Sequence, residues 1–496
     1  MNNETTMKKP PYGMIGILFV GAFVAFLNNT LLNVALPTIM KDFNIDYATV
    51  QWLATGYMLV SGILVPASAF LVVRFKNKHL FIAAMSIFTI GTIMAGFAPS
   101  FEVLLAGRMV QAVGASSMSP LLMNIMLISF PKEKRGTAMG IFGLVMFAAP
   151  AIGPTLSGWI VEHYDWRMLF QMIIPFAIIS VVFGIWKLEN VMETRDVRLD
   201  VPSLLLSTVA FGSILYGFST AGSKGWSDPF VYGTIIVGVI ALIVFIMKQL
   251  RMEEPLLELR IYKYPMFALA SIISVIVSMA MFSGMILTPA YVQTVRGIEP
   301  FEAGLMMLPG ALVMGFMSPI TGKLFDKTGP RMLAIFGLAI TTISTFGLTQ
   351  LQVDSSYTYI ISMYTLRMFG LSMVMMPIMT NGLNQLPQMM NPHGTAVNNT
   401  VQQVAGAIGS AVMVTFMNNS AKASGEELIA KATQSGATLS AEKIEQIKQA
   451  ALLDGINHSF FIAAIITVVA LILAFFLKRV KVESVAASMD MKKPTK

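Results

Sequence analysis

Long apolar runs interrupted by short polar segments make up most of the chain. They lie near residues 13–36, 50–72, 80–98, 103–128, 136–160, 168–188, 201–220, 229–249, 266–290, 301–322, 332–351, 357–380, 394–419 and 457–477. About 18 apolar residues in a helix rising ~1.5 Å each suffice to cross a hydrocarbon core ~30 Å thick. The pattern therefore predicts an all-α membrane protein with fourteen transmembrane spans. The first run is full length and continues through polar Asn into Ala35, Leu36 and Pro37, so it is expected to be a retained helix, not a cleaved leader.

Basic residues set the orientation. Of the 34 Lys and Arg, 24 fall on the side of the two termini and eight on the other, while Arg108 and Arg367 lie inside runs. Because Lys and Arg near span ends are held on the cytoplasmic side, both termini are expected to be cytoplasmic. Charged connectors at 189–200 and 250–265 flank spans seven and eight, which reads as a helix pair inserted between two six-helix bundles. The expected divisions are 1–188 for the first bundle, 189–265 for the insert, 266–478 for the second bundle and 479–496 for a cytoplasmic tail. Within the second bundle, residues 421–456 read as a solvated helical hairpin on the exterior mouth. Ser440 is placed to cap a helix that gathers Ile444, Ile447, Ala451 and Leu452 on one face.

Composition narrows the chemistry. The chain is 55% hydrophobic and 12% charged, whereas a soluble domain carries about 25% charged residues. It has no Cys and four His, which excludes disulfides, thiolate metal sites and a cysteine nucleophile. No cofactor, metal or enzymatic activity is expected, and no Gly-Lys-Ser/Thr nucleotide loop is present. The net charge of +8 does not point to nucleic acid, because the basic residues sit between apolar runs and not on one soluble face.

A weak repeat links the two bundles. The stretch from Pro66 through Ala69, Leu71, Val73 and Arg74 to Leu80 aligns without gaps on Pro319 through Gly322, Leu324, Asp326 and Lys327 to Leu333. Arg108 followed by Pro120 and Asn124 is echoed by Arg367 followed by Pro377 and Asn381. Such a repeat is the expected trace of a transporter built from parallel halves.

With these motifs the sequence resembles the major facilitator superfamily, and within it the fourteen-helix drug:proton antiporters of the lincomycin-resistance type. The resemblance covers nearly the whole chain. It is carried by Leu27 to Pro37 in span one, Gly107 to Gly114 in span four, Gly322 to Arg331 after span ten, and Gly140, Gly153, Pro154 and Gly158 in span five with Trp166, Arg167 and Phe170 beyond. It implies a secondary exporter of amphipathic compounds in a bacterial plasma membrane, driven by the proton-motive force through alternating access. It also implies a gate latch at Gly322, Asp326, Gly329 and Arg331, and an antiporter motif at the four span-five residues. For those span-five residues, tight packing and flexing both require the same small side chains. In the first half Val73 stands at the position of Asp326, so that copy of the latch is expected to be weakened.

None of the 26 carboxylates lies in the middle of a run, yet two arginines do. Helix rise places residue 28 at nearly the depth of Arg108. In the resembling family position 28 is commonly Asp; here Asn28 keeps the shape and cannot titrate. Embedded charge is costly and is by default functional. Arg108 and Arg367 are therefore expected to give a central cavity a positive bias, with Asn28, Asn33, Gln111, Asn124, Asn381, Asn398 and Gln402 extending its polar lining. The alternative for each arginine is a structural pin held by carbonyls and amides. Proton-coupling candidates are Glu302, Glu102, Asp326 and Asp354. The expected partners are small-molecule substrates, protons and the bilayer, with the chain acting as a monomer. Two rival functions remain: a dedicated exporter of an endogenous anionic metabolite, nucleotide or lipid, and a non-transporting membrane sensor or membrane enzyme.

Overall fold

The computed structural model describes residues 12–45, 47–192, 194–434 and 440–480, with the side chains of a few further residues, Asn33 among them, outside the description. Sixteen long helices build the protein: α1 (Tyr12–Asp42), α2 (Trp52–Arg74), α3 (Asn77–Gly96), α4 (Phe101–Ser116), α5 (Met118–Ser129), α6 (Arg135–His163), α7 (Ile173–Lys187), α8 (Val201–Lys224), α9 (Pro229–Arg251), α10 (Pro265–Ala290), α11 (Pro300–Thr328), α12 (Pro330–Gly347), α13 (Tyr357–Ser372), α14 (Met375–Gln385), α15 (Asn391–Gln434) and α16 (Ala441–Ala474). Among the described residues fourteen segments are long and apolar enough to cross a membrane. Among the described residues the fourth and twelfth spans are each broken near the middle, α4 with α5 and α13 with α14. Pro120 and Pro377 each occupy the third position of the second half-helix, where a missing backbone donor is tolerated. The repeat seen in the sequence is thus a repeat of broken spans.

Helices α1 to α7 pack as one bundle and α10 to α16 as a second. Residues 12 and 480 lie on the same face, called the terminal face below. The principal contact between bundles is α6 on α11, with α2 on α15 forming the second seam. Small residues set that first contact. A Cβ at Gly140 would stand 2.5 Å from the Ser318 carbonyl oxygen and 2.9 Å from Pro319 Cα, so the two backbones touch.

The inserted pair lies against the second seam. Leu215 of α8 and Gln403 of α15 converge on Gly62 of α2. Trp52 stacks on Tyr216 at 5.9 Å, and Trp226 Nε1 donates to Thr415 Oγ1 at 2.5 Å, so α8 spans both bundles. Helix α9 packs mainly on α8 and presents Ile236, Val237, Ile240, Ile243, Val244 and Met247 outward. Only 22% of its most apolar window is buried, which fits a lipid-facing helix.

On the face opposite the termini α15 and α16 continue beyond their spans. Ser440 Oγ accepts from Lys443 N at 3.3 Å and caps α16, and Ile444, Ile447, Ala451 and Leu452 face Ala421, Gly425 and Ile429 across a groove of about 330 Å³.

Candidate functional site

In the first bundle Arg108 is buried, 1% exposed, and ties four helices together. Its Nη1 donates to Asn28 Oδ1 at 2.8 Å and to Gln111 Oε1 at 2.9 Å, and Gln111 Nε2 passes the chain on to Thr92 Oγ1 at 2.9 Å. Tyr57 of α2 lies beneath the guanidinium, 4.3 Å from ring centroid to Cζ. Helix α1 therefore meets α4 where helix rise placed residues 28 and 108. Neutral acceptors and a ring face spread the charge without a carboxylate.

Arg367 is the counterpart in the second bundle and is fully buried. Its Nε donates to Thr345 Oγ1 at 3.2 Å and its Nη2 to the Ala280 carbonyl. Thr92 and Thr345 stand at corresponding positions of the repeat, and each belongs to its bundle's arginine network: Thr345 accepts from Arg367 directly, whereas Thr92 is reached from Arg108 through Gln111. Gly284 makes the room, since a Cβ there would run into the guanidinium. The ion pairs found among the described residues include neither Arg108 nor Arg367. Their partners are those of the pin alternative.

Asn28→Leu tests the first network. Removing one acceptor from a buried charge costs about 2 kcal/mol. A melting temperature several degrees below wild type is the expected outcome, with Asn28→Gln less affected; no change would mean the Asn28 contact carries no stability.

The second cluster lies on the terminal face, between bundles. Asp326, half-buried in the last turn of α11, receives Gly136 N at 2.9 Å, Thr137 N at 2.8 Å and Thr137 Oγ1 at 2.6 Å. These are first-turn donors of α6, so a carboxylate from one bundle caps the positive end of a helix in the other. Beside it Arg135 Nη1 donates to Asn384 Oδ1 at 3.1 Å, and Asn124 Nδ2 donates to Thr395 Oγ1 at 2.7 Å, both again across the bundle boundary. Gly322 lets the helices close: a Cβ there would meet the Gly136 carbonyl carbon at 2.8 Å. Gly329 adopts φ +82°, the left-handed turn for which glycine has no steric penalty. Arg331 is exposed in the first turn of α12.

The span-five motif divides its work. Gly140 faces α11, Gly158 abuts Phe301 of α11, Pro154 abuts Gly304, and Gly153 faces Thr30 of α1 within its own bundle. The motif residues therefore sit at close approaches on both sides of α6.

Of the nine residues expected to line one cavity, the eight whose side chains are described lie in separate places in this conformation. Asn28, Arg108 and Gln111 form the first network, and Arg367 the second. Asn124 belongs to the terminal-face seam. Asn381 holds the chain after α16, donating to the Lys478 carbonyl at 3.1 Å. Asn398 is buried, and Gln402 borders a void of about 10 Å³ with Ser274, Val277 and Ile378, the room of one water. The side chain of Asn33 lies outside the described residues. The polar groups are separated because each takes a partner close by: the Arg108 and Arg367 networks and Asn381 within their own bundles, and Asn124 across the seam. Of the proton candidates, Glu102, Glu302 and Asp354 are exposed on the face opposite the termini, and Asp326 is the latch.

Residues that the sequence reading passed over include Tyr57, Thr92, Thr345, Gly284, Arg135, Asn384 and Thr395. Thr92 and Thr345 were findable, because the gapless offset between Asp326 and Val73 also superposes them.

Two helical bundles of membrane spans with buried polar networks thus meet through small residues and a cross-bundle cap. A family model described as Major Facilitator Superfamily matches residues 18–410, and the chain belongs to that family. It is similar to the lincomycin resistance protein LmrB of Bacillus subtilis, 46% identical over 472 residues, 95% of this chain and 96% of that one. LmrB of Listeria monocytogenes is 43% identical over 483 residues, 97% of this chain and 100% of the relative. The riboflavin transporter RibZ of Clostridioides difficile is 28% identical over 467 residues, 93% of this chain and 96% of RibZ. Among solved structures, the human organic anion transporter MFSD10 shares the fold with a TM-score of 0.65 at 12% identity, covering 94% of this chain and 100% of that one. The protein is a multi-pass transporter of the bacterial plasma membrane.

Proposed function

We propose that the protein exports amphipathic small molecules, antibiotics among them, by proton-driven antiport with alternating access, both termini being cytoplasmic and the monomer being the working unit. The observation that supports this most is the Asp326 latch. A set of hydrogen bonds across the bundle boundary, gathered at one face, is what a gate on that face requires. The small residues of α6 and α11 leave few interlocking side chains to hold the bundles against separation. The conformation described is then the one with the terminal face closed. Opening would separate Asn124 from Thr395 and Arg135 from Asn384 and wet the polar stripe Asn391, Thr395, Asn398 and Gln402, which recurs at helical spacing on α15. Drug export is further supported by the similarity, 43–46% identical over nearly the whole chain, to lincomycin resistance proteins.

Arg108 and Arg367 favour a second reading of the cargo. Two interior cations whose described partners are neutral give the molecule's centre a positive bias, which suits a dedicated exporter of an endogenous anion. Export assays on purified protein in liposomes separate the readings. A lincosamide and other unrelated drugs leaving against their gradient when a pH gradient is imposed is the expected result. Efflux of anions alone would select the second reading, and efflux indifferent to both pH gradient and potential would exclude antiport.

A further inference from the structure

Each bundle ends in a short strap that docks back onto its own bundle, and the two straps make similar contacts, though the asparagine that clasps the first opens the third span and the one that clasps the second lies in the fourth. After α7, Leu188 is buried and the following residues are held by Asn77: its Nδ2 donates to the Glu189 carbonyl at 2.8 Å and its Oδ1 accepts from Val191 N at 2.9 Å. After α16, Leu477 is buried and Asn381 does the same, donating to the Lys478 carbonyl at 3.1 Å and accepting from Val480 N at 3.3 Å. In both, one side-chain amide pairs with the backbone of residues i and i+2.

Both straps also cap the same place. The Val73 carbonyl accepts from Arg195 N at 3.0 Å. At the corresponding position of the repeat, the Asp326 carbonyl accepts from Arg479 Nη2 at 2.6 Å, and the neighbouring Lys327 carbonyl from Arg479 Nη1 at 3.0 Å. The likeness ends at the side chain. Val73 has no group to offer the other bundle, whereas Asp326 carries the latch.

From this we infer that Arg479 and Asn381 are positioning residues of the terminal-face gate, the strap of the second bundle holding Asp326 in the orientation that caps α6. A carboxylate at the last turn of its own helix faces that helix's negative pole and unsatisfied carbonyls. The Arg479 fork supplies donors and positive charge there, which leaves the Asp326 carboxylate to the Gly136 and Thr137 amides. Gly329 is part of the seat, because a Cβ on it would come 3.2 Å from Arg479 Cδ. The strap of the first bundle, docked on a loop without an acid, has only a structural role.

This rests on the alternating-access reading, and the experiment distinguishes the two. The chain has no Cys, so spin labels at Glu133→Cys in the first bundle and Lys323→Cys in the second, both exposed, report the width of the terminal face in otherwise unaltered protein. In lipid nanodiscs, Arg479→Ala, Asn381→Ala and truncation after Leu477 are each expected to raise the long-distance population at least threefold. Arg479→Lys should restore part of the short distance, and Asn77→Ala, the matched change in the other strap, should leave it unchanged. If Asp326→Ala widens the face while Arg479→Ala does not, the strap inference is overturned and the gate stands. If Asn77→Ala widens it as much as Asn381→Ala, the strap acts only on bundle integrity and the inference is likewise overturned. If neither Asp326→Ala nor Arg479→Ala moves the distance, the gate falls and takes the strap with it.

Discussion

Gly140→Val is expected to hold the terminal face open and to abolish export while leaving each bundle folded. At Gly140 the α6 backbone lies against the Ser318 carbonyl and Pro319 Cα, which are main-chain atoms that no rotamer change can withdraw. Adding an isopropyl group forces the helices apart, and overpacking of this kind costs about 1–3 kcal/mol. At about 1.4 kcal/mol per tenfold, the closed state loses roughly one to two decades of population. The latch donors at Gly136 and Thr137 sit one turn away and would be carried out of reach of Asp326. Export measured in vesicles should fall at least tenfold with a normal melting profile. Gly153→Ala, which meets Thr30 inside the same bundle, should instead lower stability. Equal export by Gly140→Val and wild type would show that closure does not depend on this contact.

Gly284→Val carries the second large effect, on folding. The guanidinium of Arg367 fills the space above Gly284, held by Thr345 and the Ala280 carbonyl. A branched side chain there evicts a buried cation from its acceptors, and an uncompensated buried charge costs about 3–5 kcal/mol. That is a large part of the net stability of an ordinary domain, roughly 5–15 kcal/mol. Folded protein in membranes is expected to drop severely. The double variant Gly284→Val with Arg367→Leu removes both the collision and the charge, so it should recover most of the folded yield. A double variant no better than the single one would mean that Arg367 is not what the valine displaces. Recovered fold without recovered export would add a transport role for Arg367 to its structural one.

The two predictions differ in kind because the two glycines do. Gly140 belongs to a motif that stands out in the sequence, whereas Gly284 is one small residue in an apolar helix, and no spacing ties it to Arg367 some eighty positions away. The same contrast runs through the candidate site. The equal depth of Asn28 and Arg108 follows from helix rise, since two antiparallel spans share one membrane thickness, whereas their contact is set by how α1 packs on α4. Asn381 followed Arg367 and Pro377 as Asn124 followed Arg108 and Pro120, and the sequence assigned both asparagines to a cavity. In the fold one faces Thr395 across the seam and the other clasps the chain after α16. Periodicity says which side chains share a helix face, and it is silent on which helix that face meets.

The sequence by itself determined the fourteen spans and the two repeated halves, and pointed away from enzyme chemistry. All of these follow from local composition, because the bilayer demands an apolar, internally hydrogen-bonded segment wherever the chain crosses. Tertiary structure alone decided that the interior arginines take neutral partners, that Asp326 caps a helix of the opposite bundle, and that both bundles close on themselves with similar straps. Those outcomes depend on contacts between residues up to 190 positions apart. Hydrogen bonds at 3 Å are fixed by how rigid helices pack, which no local pattern encodes.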